Sequence, residues 1–273
     1  MSKTIPKHIS WLVETSEEIT TTDGAKVRVL ELQHRSDPTI LSEWAKHFRN
    51  HYCKESEIDF LRRGPNLSRS EYLKRHKFPS QTVAPGPSIR SGDFGEILVA
   101  DYLEFSLEYW VPRTRYGRKT IINESTKGSD ILGFKFVNDG KESSDDVLAI
   151  FESKSQFSGT RCRSRLQDAI NDSSKDYLRK AESLNAIRER LYDEGRLDEA
   201  SRIERFQNHI DHPYKEMSGA AALFSTNVFD SEVIKSTTTE KHPNKSHLAL
   251  VVIRGTNMMD LVNELYRRAA DEA

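Results

Sequence analysis

The chain has 273 residues with a mean hydropathy of −0.67, and 30% of them are Asp, Glu, Lys or Arg. No apolar run approaches the roughly 20 residues that a membrane-spanning helix needs, and residues 1–11 lack the apolar core of a signal peptide; the expected setting is cytoplasmic, with no membrane partner. A net charge of −1 excludes bulk attraction to nucleic acid, so any such affinity must come from local basic patches or from a partner.

The two cysteines, Cys53 and Cys162, form no CxxC pair and read as free thiols of a reducing compartment. Residues 25–32 alternate as a strand, with Val27, Val29 and Leu30 between charges. Ser36 or Asp37 caps an expected helix over residues 38–52, with Pro38 in its first turn and Ile40, Leu41, Trp44, Phe48 and Tyr52 at helical spacing. Shorter helices are expected over 55–61 and 68–76. His47 and His51, four apart, share a helix face as zinc ligands do, but no fourth ligand is evident and a solvated helix face carries the same pattern. Pro79, Pro85, Gly86 and Pro87 mark a loop, and the domain boundary is placed there: residues 1–85 as an N-terminal extension, 86–273 as the main domain.

A helix over residues 88–105 follows. Ile97, Leu98, Val99 and Ala100 make it buried on most sides, and Glu96 stands at the margin of that run, where a lone carboxylate is costly unless it meets a cation. Residues 107–111 and 118–122 read as strands of a β-meander. Between and beside them Arg113, Arg115, Arg118 and Lys119 are positioned to meet phosphates, although charged loops are usually just solvated.

Residues 128–137 and 146–154 then read as a hairpin whose turn signal is Asp139-Gly140. Residue 141 lies midway between 130 and 152, so a symmetric fold sets Asp130 directly opposite Glu152, with Cβ atoms about 5 Å apart. Glu152 and Lys154 share one strand face. Two opposed carboxylates repel, and either Lys154 or a divalent cation must sit between them; hard oxygen ligands suit Mg²⁺, or Mn²⁺. A strand end reaching solvent is the plainer alternative, and a one-residue slip or a bulge separates the two acids.

After Lys154 the residues Arg161, Arg163 and Arg165 form a basic cluster where a DNA backbone would pass, or a solubilising run. Residues 176–208 read as a helical hairpin broken at Gly195, an insertion protruding from the core. Residues 218–229 are apolar and ambiguous between strand and helix, 248–253 form a buried strand, and Thr256 or Asn257 caps a last helix with Met258, Met259, Leu261, Val262, Leu265 and Tyr266 on its inner side. The sum is an α/β fold with a mixed central sheet flanked by helices. No GxxxxGK[ST] loop is present, which argues against an ATPase.

Asp130 followed by Glu152-Ser153-Lys154 on the next strand resembles the metal-binding signature of the PD-(D/E)xK nuclease superfamily. Ser129 replaces the proline of that name. Gly92-Asp93-Phe94-Gly95-Glu96 resembles the helix-borne glutamate that often precedes the signature. The context from Gly92 through the basic cluster, the middle third of the chain, is similar to HamA, the nuclease subunit family of Hachiman antiphage defence. The resemblance implies a restriction-endonuclease-like core of αβββαβ order. It implies a metal-dependent deoxyribonuclease with Glu96, Asp130, Glu152 and Lys154 as catalytic residues, the three acids as metal ligands, and Arg161, Arg163, Arg165 and Lys119 on DNA. It also implies a separately encoded helicase partner, HamB, that holds the nuclease in check, with residues 1–85 and the helical arm as docking surfaces. A catalytically silent DNA-binding or scaffolding subunit on the same fold, and a hydrolase of another phosphate, are the competing readings.

Overall fold

A computed structural model describes residues 4–126, 128–138 and 141–273; Asp139-Gly140, the expected turn, lies outside the described residues. Seven strands form one sheet: β1 (Leu12–Glu14), β2 (Ile19–Thr20), β3 (Lys26–Leu32), β4 (Ile131–Lys135), β5 (Val147–Gln156), β6 (Lys215–Ser225) and β7 (Leu248–Gly255). The order is β1-β3-β7-β6-β5-β4, with β2 also on β3. The centre, β3-β7-β6-β5, is parallel, while β4, β1 and β2 pair antiparallel at the edges. Parallel central strands covered on both faces are apolar without alternation, which is why the run Ala220-Ala221-Ala222-Leu223-Phe224 of β6 is fully buried. The ambiguous stretch 218–229 is therefore a strand for most of its length. Gly219 is required there: a Cβ would lie 2.4 Å from the Phe151 ring on β5.

The helices are α1 (Pro38–Tyr52), α2 (Glu55–Leu61), α3 (Arg69–Tyr72), α4 (Gly86–Asp101), α5 (Arg165–Ser173), α6 (Asp176–Asp193), α7 (Leu197–Glu204), α8 (Ser231–Lys235) and α9 (Met258–Asp271). Asp37 caps α1, accepting from Thr39 N and Ile40 N at 2.9 and 3.1 Å, with Pro38 following it. α4 runs on into a π-helical turn over Tyr102–Ser106.

Three expectations change. Residues 1–85 are no separate layer: β3 pairs with β7 in the main sheet, and Phe48 of α1 packs edge-on against Tyr266 of α9 at 4.8 Å. The β-meander reduces to one bridge, Trp110 with Phe134, because Arg113, Arg115 and Lys119 turn inward to acids instead of holding a flat strand. The arm at 176–208 lies down on the sheet. Leu184, Leu191, Ile203 and Phe206 of α6, α7 and the turn after them join Leu132, Phe134, Leu148 and Ile150 in one apolar cluster. The break falls at Gly195, whose φ of 71° suits glycine.

Candidate functional site

The hairpin has the expected register. Ile131 pairs with Phe151 and Leu132 with Ile150, so Asp130, one residue before β4, stands opposite Glu152. Ser153 N donates to Asp130 Oδ2 at 3.0 Å and draws that carboxylate in against β5. Along β5, Ala149 and Phe151 belong to the core under α4 and α9, whereas Leu148 and Ile150 belong to the cluster under α6 and α7. Glu152 and Lys154 share the second face and so meet the α5–α6 junction. There Lys154 Nζ lies 2.8 Å from Asp172 Oδ2 and 3.9 Å from Glu152 Oε2.

Glu152 is 2% exposed. Burial, then the neighbouring Asp130 and Asp176, push its pKa up to about 10, so the isolated site keeps a proton among its acids. Asp176, at the start of α6, is pushed up to about 6, also by burial first. Its Oδ1 accepts from Ser129 Oγ at 2.8 Å. Among the described residues, Glu152 Oε1 and Asp176 Oδ2 are buried with no N–H or hydroxyl donor, so only a proton shared between the acids can join them, and Arg179 Nη1 stands 3.7 Å from the former. Buried carboxylate oxygens gathered in this way are the donor type that a hard divalent cation takes, although Asp130 and Glu96 are bridged by Arg115 in this structure and the acids are not drawn in around one point.

Glu96 reaches the same place from α4, on the far side of Asp130. Between them lies Arg115, its Nε 2.8 Å from Glu96 Oε2 and its Nη2 2.8 Å from Asp130 Oδ1. The first contact is an ion pair misaligned for a hydrogen bond. Nη1 adds the Ser129 carbonyl at 2.5 Å, and Tyr116 OH donates to Glu96. Burial raises the Glu96 carboxyl, and Arg115 opposes the rise without cancelling it. Lys154 goes the other way from a desolvated lysine: burial disfavours its charge, but the hydrogen bond it donates to Asp172 and the surrounding acids raise its pKa, so it is an ammonium. Glu96, Arg115, Asp130, Glu152, Lys154, Asp172 and Arg179 line one open cleft of about 610 Å³ together with Ser88, Ser125 and Arg165.

Glu96, Asp130, Glu152 and Lys154 are thus brought together. Arg165 lines the cleft, and Arg161 and Arg163 are exposed on the loop before it, which Gln156 braces through Arg161 O and Arg163 N at 2.8 and 2.9 Å. Lys119 is not brought there. Its ammonium is buried 2.8 Å from Asp93, whose other partner is Tyr52 OH at 2.7 Å, so it holds the core and offers no charge to a phosphate. Asp172, Asp176, Arg179 and the bridging role of Arg115 escaped the sequence reading. A first-turn aspartate on a charged helix carries no signal of its own; only the packing of α6 on β4 and β5 turns Asp176 inward.

A family model described as HamA matches residues 7–269, both the hairpin acids and the flanking sheet included. The chain belongs to the HamA family. The match runs well past the middle third that carried the resemblance. It covers β1 to β3 and α1, consistent with their place in one sheet. HamA membership points to a component of the Hachiman defence system. No curated protein matches the sequence. Among the described residues, no helix is long and apolar enough to cross a membrane.

Proposed function

We propose that this HamA-family chain is a metal-dependent DNA nuclease with a restriction-endonuclease-like PD-(D/E)xK core, the effector of an antiphage defence system held in check by the helicase HamB. The observation that carries the proposal is the pairing of Asp130 with Glu152 in register at the mouth of the β4–β5 hairpin, both lining one cleft with Lys154. The order α4, β4, β5, α5, β6, with a parallel β5–β6 crossover, supports the same core, with the isolated Trp110–Phe134 bridge standing where αβββαβ has its first strand.

Asp130 and Glu152 would hold Mg²⁺ or Mn²⁺, with Glu96 and Asp176 beside them. When bound, the ion supplies a water of lowered pKa and positive charge at the scissile phosphate. The protein does the rest. Lys154, kept protonated by Asp172, places an ammonium where a phosphate oxygen or the attacking water meets Glu152. The charge it offers grows in worth as negative charge develops in a cleft with little water. Arg161, Arg163 and Arg165 grip the DNA backbone and set its register, which carries no sequence information. Tyr177, Leu178 and Tyr192, exposed apolar side chains of α6, support a partner docking on that face.

The test is cleavage of supercoiled, linear and single-stranded DNA by the purified chain, alone and with HamB, with Mg²⁺ or EDTA. Glu152→Gln and Lys154→Met each abolish Mg²⁺-dependent cleavage while the fold, checked by circular dichroism, persists. An active Glu152→Gln refutes the site. Arg115, seated between two of the acids, favours a second reading for the chain by itself: a catalytically silent DNA-binding subunit, in which case no partner releases activity.

A further inference from the structure

A second cluster of ligating groups lies away from the hairpin. His47 and His51 are one turn apart on α1. The fold adds His8, from the 3-10 turn Lys7–Trp11, and Asp101, the last residue of α4. His8 Nε2 is 3.0 Å from Asp101 Oδ2, and His47 Nε2 is 2.9 Å from Asp101 Oδ1. The ligand atoms of His8, His47 and Asp101 all lie within 4.8 Å of one another. His51 Nε2 is 3.4 Å from His47 Nε2.

That last pair is the informative one. A ring nitrogen carries one hydrogen at most. His47 Nε2 faces a carboxylate oxygen, which needs a donor, and a second imidazole nitrogen at the same time. One proton cannot serve both lines. At 3.4 Å the two nitrogens also stand farther apart than the 2.7–3.2 Å of ordinary hydrogen bonds. They match the edge of a tetrahedron with bonds of about 2.0–2.1 Å, which is about 3.4 Å long. A cation satisfies all the lone pairs that hydrogen bonding leaves in competition.

The surroundings hold the donors in place. Asp101 and His8 are 0% and 2% exposed. The His8 ring is stacked on Trp44 with centroids 4.4 Å apart and planes 4° from parallel. Arg113 Nη2 touches Asp101 Oδ1 at 2.8 Å and Glu104 at 2.7 Å, the outer contact that orients a ligating carboxylate. His47 keeps 26% of its side chain exposed, which leaves an entry path.

We propose that His8, His47 and Asp101 form a structural zinc site that ties the N-terminal turn and α1 to the end of α4, with His51, which lies outside that group of three but next to His47, swinging in as the fourth donor when the ion binds. Imidazole nitrogens with one carboxylate suit Zn²⁺, and four protein donors leave no open position for catalysis. Asp101 sits five residues beyond Glu96 on the same helix, so the site anchors the element that delivers Glu96 to the cleft.

The test uses the full chain stripped by chelator, exposed to Zn²⁺, desalted and measured for metal by mass spectrometry, with Co²⁺ absorption as a second readout. Wild type retains one zinc per chain, shows tetrahedral Co²⁺ bands, and gains thermal stability with zinc. His47→Ala, chosen because the side chain is partly exposed, and His51→Ala lose the zinc, the bands and the gain; circular dichroism verifies that each is folded. Glu152→Gln keeps all three, which separates this site from the proposed nuclease centre. A wild-type chain that retains no zinc overturns the proposal. So does a His47→Ala chain that retains it, or a loss confined to Glu152→Gln.

Discussion

Replacing Arg115 by methionine separates the two jobs that this side chain does. The guanidinium is 15% exposed and contacts Glu96, Asp130 and the carbonyls of Ser129 and Thr126. Removing one partner of a buried ion pair costs about 3–5 kcal/mol, because the other charge is stranded. Glu96 relieves part of that by holding a proton, its pKa already raised to about 8 by burial, so the low end, about 3 kcal/mol, is the better figure. At about 2–4 °C per kcal/mol for a chain of this size, the melting temperature in EDTA falls by about 6–12 °C. Mg²⁺ reverses the penalty. In the wild type an ion must compete with Arg115 for Asp130; in Arg115→Met it does not. Recovering about 3 kcal/mol tightens the Mg²⁺ dissociation constant by about 100-fold, since 1.4 kcal/mol is tenfold. The assay is a thermal-shift titration with Mg²⁺ on both proteins, followed by DNA cleavage without HamB. A variant that loses stability and gains no Mg²⁺ affinity shows that Arg115 does not share the metal's ligands.

Proton linkage supplies the next expectation. The pKa values of Glu96 and Glu152 are raised from the ordinary 4.5 to about 8 and about 10. The metal-free fold therefore holds protons that the unfolded chain has released. Their contribution to stability is complete below pH 4.5 and is lost as pH rises through 8 and then 10. Mg²⁺ displaces those protons, so binding at pH 7 releases protons and tightens as pH rises; calorimetry in two buffers of different ionisation enthalpy detects the release, and equal heats contradict it. Lys119→Met strands Asp93 in the core and lowers stability by about 3–5 kcal/mol in urea, with Mg²⁺ affinity and the salt dependence of DNA binding unchanged. Arg161→Gln and Arg163→Gln each reduce the slope of log K against log salt for duplex DNA by about 0.9 while leaving Mg²⁺ affinity alone. An unchanged slope removes that loop from the DNA path.

The hairpin was legible because an antiparallel register depends on local quantities: strand phase and the midpoint of a polar turn. Ile131 opposite Phe151 repeats the symmetry about residue 141 that the sequence implies. Helix α1 was legible for similar reasons, since Asp37, Pro38 and the apolar spacing act within four residues of one another. The strands expected at 107–111 and 118–122 failed because local pattern carries no information on where Arg113, Arg115 and Lys119 find their acids, which lie 9 to 26 positions away. The protruding arm failed for a related reason. An amphipathic helix states that it has a buried side, and what it buries that side against is decided elsewhere in the chain.

By itself, then, the amino-acid order determined the opposed pair Asp130 and Glu152, the strand-mate Lys154 and the buried helix bearing Glu96, all consequences of short-range periodicity. The tertiary structure alone decided that Asp172 meets Lys154 in the cleft, that Asp176 meets Ser129 beneath it, that Arg115 stands between Glu96 and Asp130, and that His8 and Asp101 meet His47. Those contacts join residues 15 to 93 positions apart. Their charges are held together by the burial of sheet and helix faces, a force that responds to area and shape and leaves no mark in the spacing of the polar residues it gathers.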